Sequence, residues 1–189
     1  LGLFAVVGIA VLLGLTLQFY PYGRHLPAIE QGASAMLRDP VKVGSIGFSF
    51  MPHPHLALHD VKVGQEAYLT VGTIRATPDF LSLLGETKIV RELAFDRVGV
   101  KGPGLGRLAQ AGQGTSPAGV EIRHILLTNV SLTIGDILLG GIGGEVVMGG
   151  KGMPEKVLLH NADGTFKVEA LPKGGGYQIA ASGSNWKAP

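Results

Sequence analysis

Four segments of this 189-residue chain repeat one apolar pattern, Φ-x-Φ-x-x-Φ-x-Φ with Φ for an apolar or small residue, and few folds can accommodate it. The copies are "LALHDVKV" (56–63), "LTVGTIRA" (69–76), "LAFDRVGV" (93–100) and "ILLTNVSL" (125–132). Side chains along a strand alternate between faces, so a regular strand would send Leu56 and Leu58 to one side and Val61 and Val63 to the other. An extra residue in the middle, a β-bulge, returns all four to one side and increases the twist. The pattern therefore predicts a twisted, bulged antiparallel sheet with one continuously apolar face, forming an open groove. On the first three copies that face comprises Leu56, Leu58, Val61, Val63, Leu69, Val71, Ile74, Leu93, Phe95, Val98 and Val100.

The chain opens differently. "LGLFAVVGIAVLLGLTLQF" carries no charge over residues 1–19, and a helix of that length spans roughly 28 Å, close to a bilayer core. Phe4, Val7, Val11, Leu15 and Phe19 fall along it, and Phe19, Tyr20 and Tyr22 supply the aromatic belt expected where a helix leaves lipid. A secretory signal would have a shorter apolar core and small residues at its cleavage site, which "LTLQFYPYG" does not offer. Residues 1–20 are thus expected to form a transmembrane anchor. Residues 21–40 then form a linker and a short amphipathic helix, "LPAIEQGASAML", with Ile29, Ala33, Met36 and Leu37 on its apolar side, Pro27 at its start and Pro40 at its stop.

From Val41 onward the signals are those of strands and turns, and 41–189 is expected to be one β domain, mainly β with short helices. "PDFLSLLG" reads as a helical turn with Phe80, Leu83 and Leu84 on one side, residues 102–119 as a flexible connection, and "ADGT" (162–165) as a hairpin turn. The apolar start of "YQIAAS" near the end suggests the beginning of a longer β structure that continues past Pro189.

Composition removes several function classes. The net charge is +2 with basic residues scattered singly, which is not the footprint of a nucleic-acid binder. There is no cysteine, which excludes cysteine-ligated metal chemistry. "GGEVVMGGKG" fails as a phosphate loop because Gly152 stands where Ser or Thr must follow Lys151 and Glu145 where the first glycine is needed. "NVS" (129–131) fits the glycosylation triplet but lies inside an expected strand. His53, His55 and His59 could face one way along an extended chain and hold a metal. With Pro52 and Pro54 around them and only Asp60 nearby, they read instead as a polar loop entering a strand, without metal or other cofactor. No nucleophile elbow or paired-carboxylate segment is present, so an enzyme is not expected.

The anchor, the "IEQGASAML" helix and then "DPVKVGSIGFSFMPHPHLALHDVKVG" together resemble the N-terminal region of the AsmA-like proteins of the Gram-negative envelope. The likeness runs through "LTVGTIRATPDFLSLLGETKIVRELAFDRVGVKG" and on to "LHNADGTFKVEALPKGGGYQIAASGSNWKAP", and departs at 102–119. The resemblance implies a single-pass inner-membrane protein with its bulk in the periplasm, generally longer than this chain. It also implies an elongated, groove-like β structure that carries phospholipid between membranes and supports outer-membrane homeostasis. The eleven apolar strand residues would then contact lipid, and the partners would be phospholipid and the inner membrane. The rival expectation is a structural or assembly subunit that docks other envelope or secretion proteins through the same β face.

Overall fold

The computed structural model describes residues 26–49, 53–102, 104, 119–149, 153–174 and 176–183. The anchor residues Phe4, Val7, Val11, Leu15 and Phe19 lie outside them. Among the described residues no helix is long and apolar enough to cross a membrane.

One helix, α1 (Leu26–Leu37), precedes ten strands: β1 (Val41–Lys42), β2 (Ser45–Ser49), β3 (His55–Val63), β4 (Leu69–Pro78), β5 (Lys88–Lys101), β6 (Val120–Ile134), β7 (Ile137–Met148), β8 (Pro154–Asn161), β9 (Phe166–Lys173) and β10 (Gly176–Gly183). They form a single open sheet in the order β1-β3-β4-β5-β6-β7-β8-β9-β10, with β2 also paired to β3. β1 and β2 are two stretches of one edge strand, since Val41 opposite Val63 and Ser45 opposite His59 keep a common register.

The expectation of a purely antiparallel sheet is corrected at β5 and β6, which run parallel with Leu93 beside Ile125 and Val100 beside Leu132. Parallel neighbours cannot be joined by a tight turn and need a crossover of a dozen or more residues. The connection 102–119 is long enough to bring the chain back to the starting end.

The expected bulge also takes another form. Asp60, Arg97 and Asn129 have φ of 55°, 53° and 54°, the left-handed region that ordinary L-residues enter at a cost of about 1–2 kcal/mol. An extra residue in one strand alone would shift the register, as happens between β6 and β7 around Asn129, but from β3 to β6 it does not shift. His59–Thr73 and Val61–Val71 pair on either side of Asp60 and Gly72; Val71–Val98 and Thr73–Asp96 flank Gly72 and Arg97; Asp96–Thr128 and Val98–Val130 flank Arg97 and Asn129. Each strand therefore places its irregular residue at the same level, and the pattern's apolar positions stay aligned across the sheet. Gly72 makes room for this, because a Cβ there would lie 2.5 Å from Arg97 Nε.

That alignment builds the core. Val41, Val43, Val61, Val63, Tyr68, Val71, Val98 and Val100 form a buried cluster, and Leu58, Ile74, Phe95, Val130 and Leu132 pack against it. Leu58 and Val61, three apart in sequence, share a face as the pattern requires. α1 covers this part with Leu26, Ala33 and Leu37. Leu26, one turn before Ile29, extends the expected helix face at its N-terminal end, and Ile29 is half-buried; the Met36 side chain is outside what is described. On the same helix Glu30 Oε1 accepts from Val43 N–H at 2.8 Å and Ser34 Oγ from Val41 N–H at 2.8 Å. Those bonds satisfy backbone donors at the sheet edge, which would otherwise be costly to leave unpaired.

Candidate functional site: an open apolar sheet face

Strand registers carry the apolar face well beyond the four pattern copies. One row across the sheet reads Phe48, Leu56, Ala76, Leu93, Ile125, Val146, Val157, Ala170, Ile179. The next, two residues along each strand, reads Ile46, Leu58, Ile74, Phe95, Leu127, Gly144, Leu159, Val168, Ala181. Every member is apolar or glycine on nine consecutive strands. Neighbouring strands lie about 4.8 Å apart, so these rows run roughly 38 Å across the sheet.

The face has two parts that differ in cover. Val61, Val63, Val71, Val98 and Val100 are buried, at 8% exposure or less, in the cluster that α1 caps. Leu56, Leu58, Leu69, Ile74, Leu93 and Phe95 are only half-buried, as are Ile125, Leu127, Val146, Val157, Leu159 and Val168 farther along. Exposure then rises to 68% at Ile179 on β10, whose described residues are all exposed. All eleven residues expected on the apolar face do share it, but five of them belong to a closed core. The open surface is larger than that set, since Ile46, Phe48 and the row members on β6–β10 were not among them. Alternation in "SIGFS" was the available signal for the first two.

The opposite face is mixed: one row reads Ala57, Arg75, Ala94, Leu126, Glu145, Leu158, Glu169, and the next is polar and tied together across strands. His59 Nδ1 lies 3.4 Å from Thr73 Oγ1, Arg97 donates to Thr73 Oγ1 at 3.2 Å and to Asp96 Oδ2 at 2.9 Å, and Asn129 Nδ2 donates to Asp96 Oδ1 at 3.0 Å. This ladder spans β3 to β6 directly behind the row of left-handed residues and gives Arg97 partners in a backbone conformation it does not favour. Asn129, from the "NVS" triplet, is used here.

His55 Nδ1 meets the carbonyl of His53 at 2.7 Å, and both line a shallow hollow with Arg75, Thr77 and Glu92. His59 sits two residues beyond Ala57 on β3, beside Thr73. Among the described residues no group of three or more His, Asp or Glu is placed to hold a metal. Replacing His53 and His55 together by Gln should shift stability by no more than about 0.5 kcal/mol, as exposed substitutions usually do. Thermal melting with and without added zinc checks this; a zinc-dependent rise in melting temperature lost in the variant would restore the ligand reading.

At the far end of β4, Asp79 accepts from Leu81 and Ser82 N–H and pairs with Arg91 at 3.0 Å. The Arg91 guanidinium, with those amides, holds the Asp79 carboxyl below its ordinary range. This fixes the expected helical turn as a 3₁₀ turn, Ser82–Leu84, and leaves Leu81 and Leu84 exposed at 82% and 91%. Comparison of the chain with protein-family models, with curated proteins and with solved structures found no match.

Proposed function

We propose that this chain is a membrane-anchored envelope protein whose open sheet face shields phospholipid acyl chains from water and lets them move between membranes, contributing to outer-membrane lipid homeostasis. The observation that carries the reading is the pair of apolar rows unbroken across nine strands and open beyond the core cluster, while on the other side of the sheet apolar residues are interrupted by Arg75, Glu145 and Glu169. Exposing one methylene to water costs about 0.8 kcal/mol, so a sixteen-carbon chain costs on the order of 12 kcal/mol. A face of this kind removes much of that penalty and needs no catalytic residue. Its length of roughly 38 Å exceeds the thickness of one leaflet, about 15 Å. Each additional strand beyond β10 would lengthen it by about 4.8 Å. The sequence likeness to AsmA-like proteins agrees with this reading and supplies its setting, an inner-membrane anchor with the sheet in the periplasm and the rows forming a groove.

Two measurements test it. A photo-crosslinking residue at Leu127, on the open part, should capture phospholipid that co-purifies with the chain and is identified by mass spectrometry. A stoichiometric protein captured there, with no lipid, would favour a docking subunit instead. For the anchor, a reporter enzyme fused after Pro189 should be active only in the periplasm, and the fusion should resist extraction by carbonate. Release by carbonate, or a reporter active in the cytoplasm, would remove the anchored, periplasmic setting while leaving the lipid face to be judged by the crosslink.

A further inference from the structure

The turn between β4 and β5 holds four large apolar side chains away from the sheet: Phe80 and Leu83 are 48% and 44% exposed, and Leu81 and Leu84 almost wholly so. Its backbone is nevertheless firmly tied. Asp79 accepts from the N–H groups of Leu81 and Ser82, Ser82 Oγ accepts from Ile89 N–H at 2.8 Å, and Lys88 Nζ donates to the carbonyls of Leu83 and Gly85. Successive i to i+3 bonds from Asp79 to Gly85 give the turn its 3₁₀ form, in which side chains three apart eclipse. Leu81 and Leu84 therefore make one outward pair. Met153, 68% exposed on the connection from β7 to β8, lies at the same end of the sheet, because β6 starts beside Lys88 and β7 runs antiparallel to it.

We infer that this turn is seated in the surface of the membrane that holds the anchor, with Leu81 and Leu84 at the acyl boundary. The placement rests on the anchor proposed above, and its direction comes from α1. Ser34 bonds to Val41 and Glu30 to Val43; four helical residues rise about 6 Å and two strand residues about 6.6 Å, so α1 lies along the edge strand and runs antiparallel to it. Leu26, four residues before Glu30, is thus carried toward Ser45 and away from Val41. Ser45 is level with His59, Thr73 and Asp96, and the turn begins after Pro78, five residues farther along β4, or roughly 17 Å. Residues 20–25, between the uncharged run and Leu26, reach at most about 22 Å, enough for the run to end level with the turn. The exposed apolar residues around Ile137 and Leu138 stand at the opposite end of β6, roughly 45 Å from Val120, well clear of a membrane at this end. Behind the leucines, the Asp79–Arg91 ion pair and Lys88 fall in the headgroup region and stay hydrated, since interfacial segments enter only about 5–10 Å. Ala76, three residues before Asp79, belongs to the apolar row with Leu56, Leu93 and Ile125, so an acyl chain leaving the bilayer here meets the proposed lipid face within about 10 Å.

The chain has no cysteine, so a single environment-sensitive fluorophore can be attached at Leu81→Cys, at Leu84→Cys or, as the control at the other end of the sheet, at Leu138→Cys, where the parent leucine is also exposed. Each full-length labelled chain is reconstituted into phosphatidylcholine vesicles containing spin-labelled lipid. The labels at 81 and 84 should be quenched several-fold more by lipid spin-labelled near the headgroup than by lipid labelled at the chain end, and the label at 138 should not be quenched. Chains that float with the vesicles but leave 81 and 84 unquenched would overturn this placement while the anchor stands. Quenching at 138 alone would overturn it in favour of the opposite end, and equal quenching at all three positions would show that the fluorophore rather than the turn seeks the bilayer. Chains that fail to float would refute the anchor and the placement with it.

Discussion

Val71→Asp should unfold the β domain, whereas Leu127→Asp should leave it folded and, if the proposed lipid face is used, deprive it of lipid. The two residues are apolar, occupy the same sheet face and sit on strands separated only by β5, so the difference lies in cover. Val71 is 4% exposed within the cluster beneath α1, and no charged residue is buried among the described residues. A carboxylate there has no partner, and burying it costs several kcal/mol even if it is neutralised by taking up a proton. That is a large fraction of the 5–15 kcal/mol that stabilises an ordinary domain. Leu127 is half-buried, outside the cluster and beside Gly144, which adds no side chain to confine it. Its replacement forfeits at most the burial of part of one leucine, about 1–2 kcal/mol, and the carboxylate remains hydrated. Limited proteolysis separates fold from function: Val71→Asp should be digested rapidly, and Leu127→Asp should resist like the parent while losing most of its co-purified phospholipid. A Leu127→Asp chain that is folded and still carries lipid at the parent level would refute an acyl path over this position. Rapid digestion of both variants would show that the face is closed along its whole length and that lipid is held elsewhere.

The contrast between those two positions also marks what could and could not be read from the sequence. The spacing Leu56, Leu58, Val61, Val63 encodes a local geometry, two apolar pairs brought to one face by an irregular step, and it was legible because it depends only on the period of a strand. The pattern reads the same in both directions, so the copies stay in register whether their strands run parallel or antiparallel. The form of the step was not legible. Asp60 and Asn129 tolerate the left-handed region, but Arg97 does so with the help of Asp96 and Thr73, and Gly72 opposite it meets the need by having no side chain; only the assembled row shows that these belong together. The parallel pairing of β5 with β6 is equally non-local, since nothing in either strand distinguishes a crossover from a hairpin. The start of β7 at Ile137 was hidden because "ILLGG" does not alternate. Which half of the face is covered depends on where α1 lies, and that is set by its bonds to Val41 and Val43 through Ser34 and Glu30. Sequence periodicity therefore located the apolar surface but could not separate its core from its open part.

Gly64→Ala should be among the most destabilising single-methyl additions in the described chain, by about 2–5 kcal/mol. Two costs act together. Gly64 has φ +83°, where a Cβ costs about 1–2 kcal/mol on backbone grounds alone. The new methyl would also meet Tyr68 Cδ1 and Cε1 at 2.4 Å, far inside any real contact, and forcing additional volume into a packed site typically adds 1–3 kcal/mol. The ring cannot retreat easily. A Cβ at Gly104 would strike it at 2.4 Å from Cδ2, so that backbone closes in as well, and the phenol donates to Asp39 Oδ2 at 2.8 Å. Asp39 follows α1, and Gly64 N–H donates to the carbonyl of Pro40 at 2.8 Å, so displacing Tyr68 disturbs the junction that seats α1 on the sheet. Gly164→Ala is the matched control: its φ of +71° carries the same backbone cost, but no atom lies within 4 Å of the added methyl. Urea unfolding should therefore give a drop of about 1–2 kcal/mol for Gly164→Ala and clearly more for Gly64→Ala. In the double variant with Tyr68→Ala the excess should shrink, with a coupling of about 0.5–3 kcal/mol, because the ring that the methyl strikes is gone. Equal losses for the two glycine variants, or a Tyr68→Ala background that leaves the Gly64→Ala penalty unchanged, would show that Tyr68 does not hold this junction.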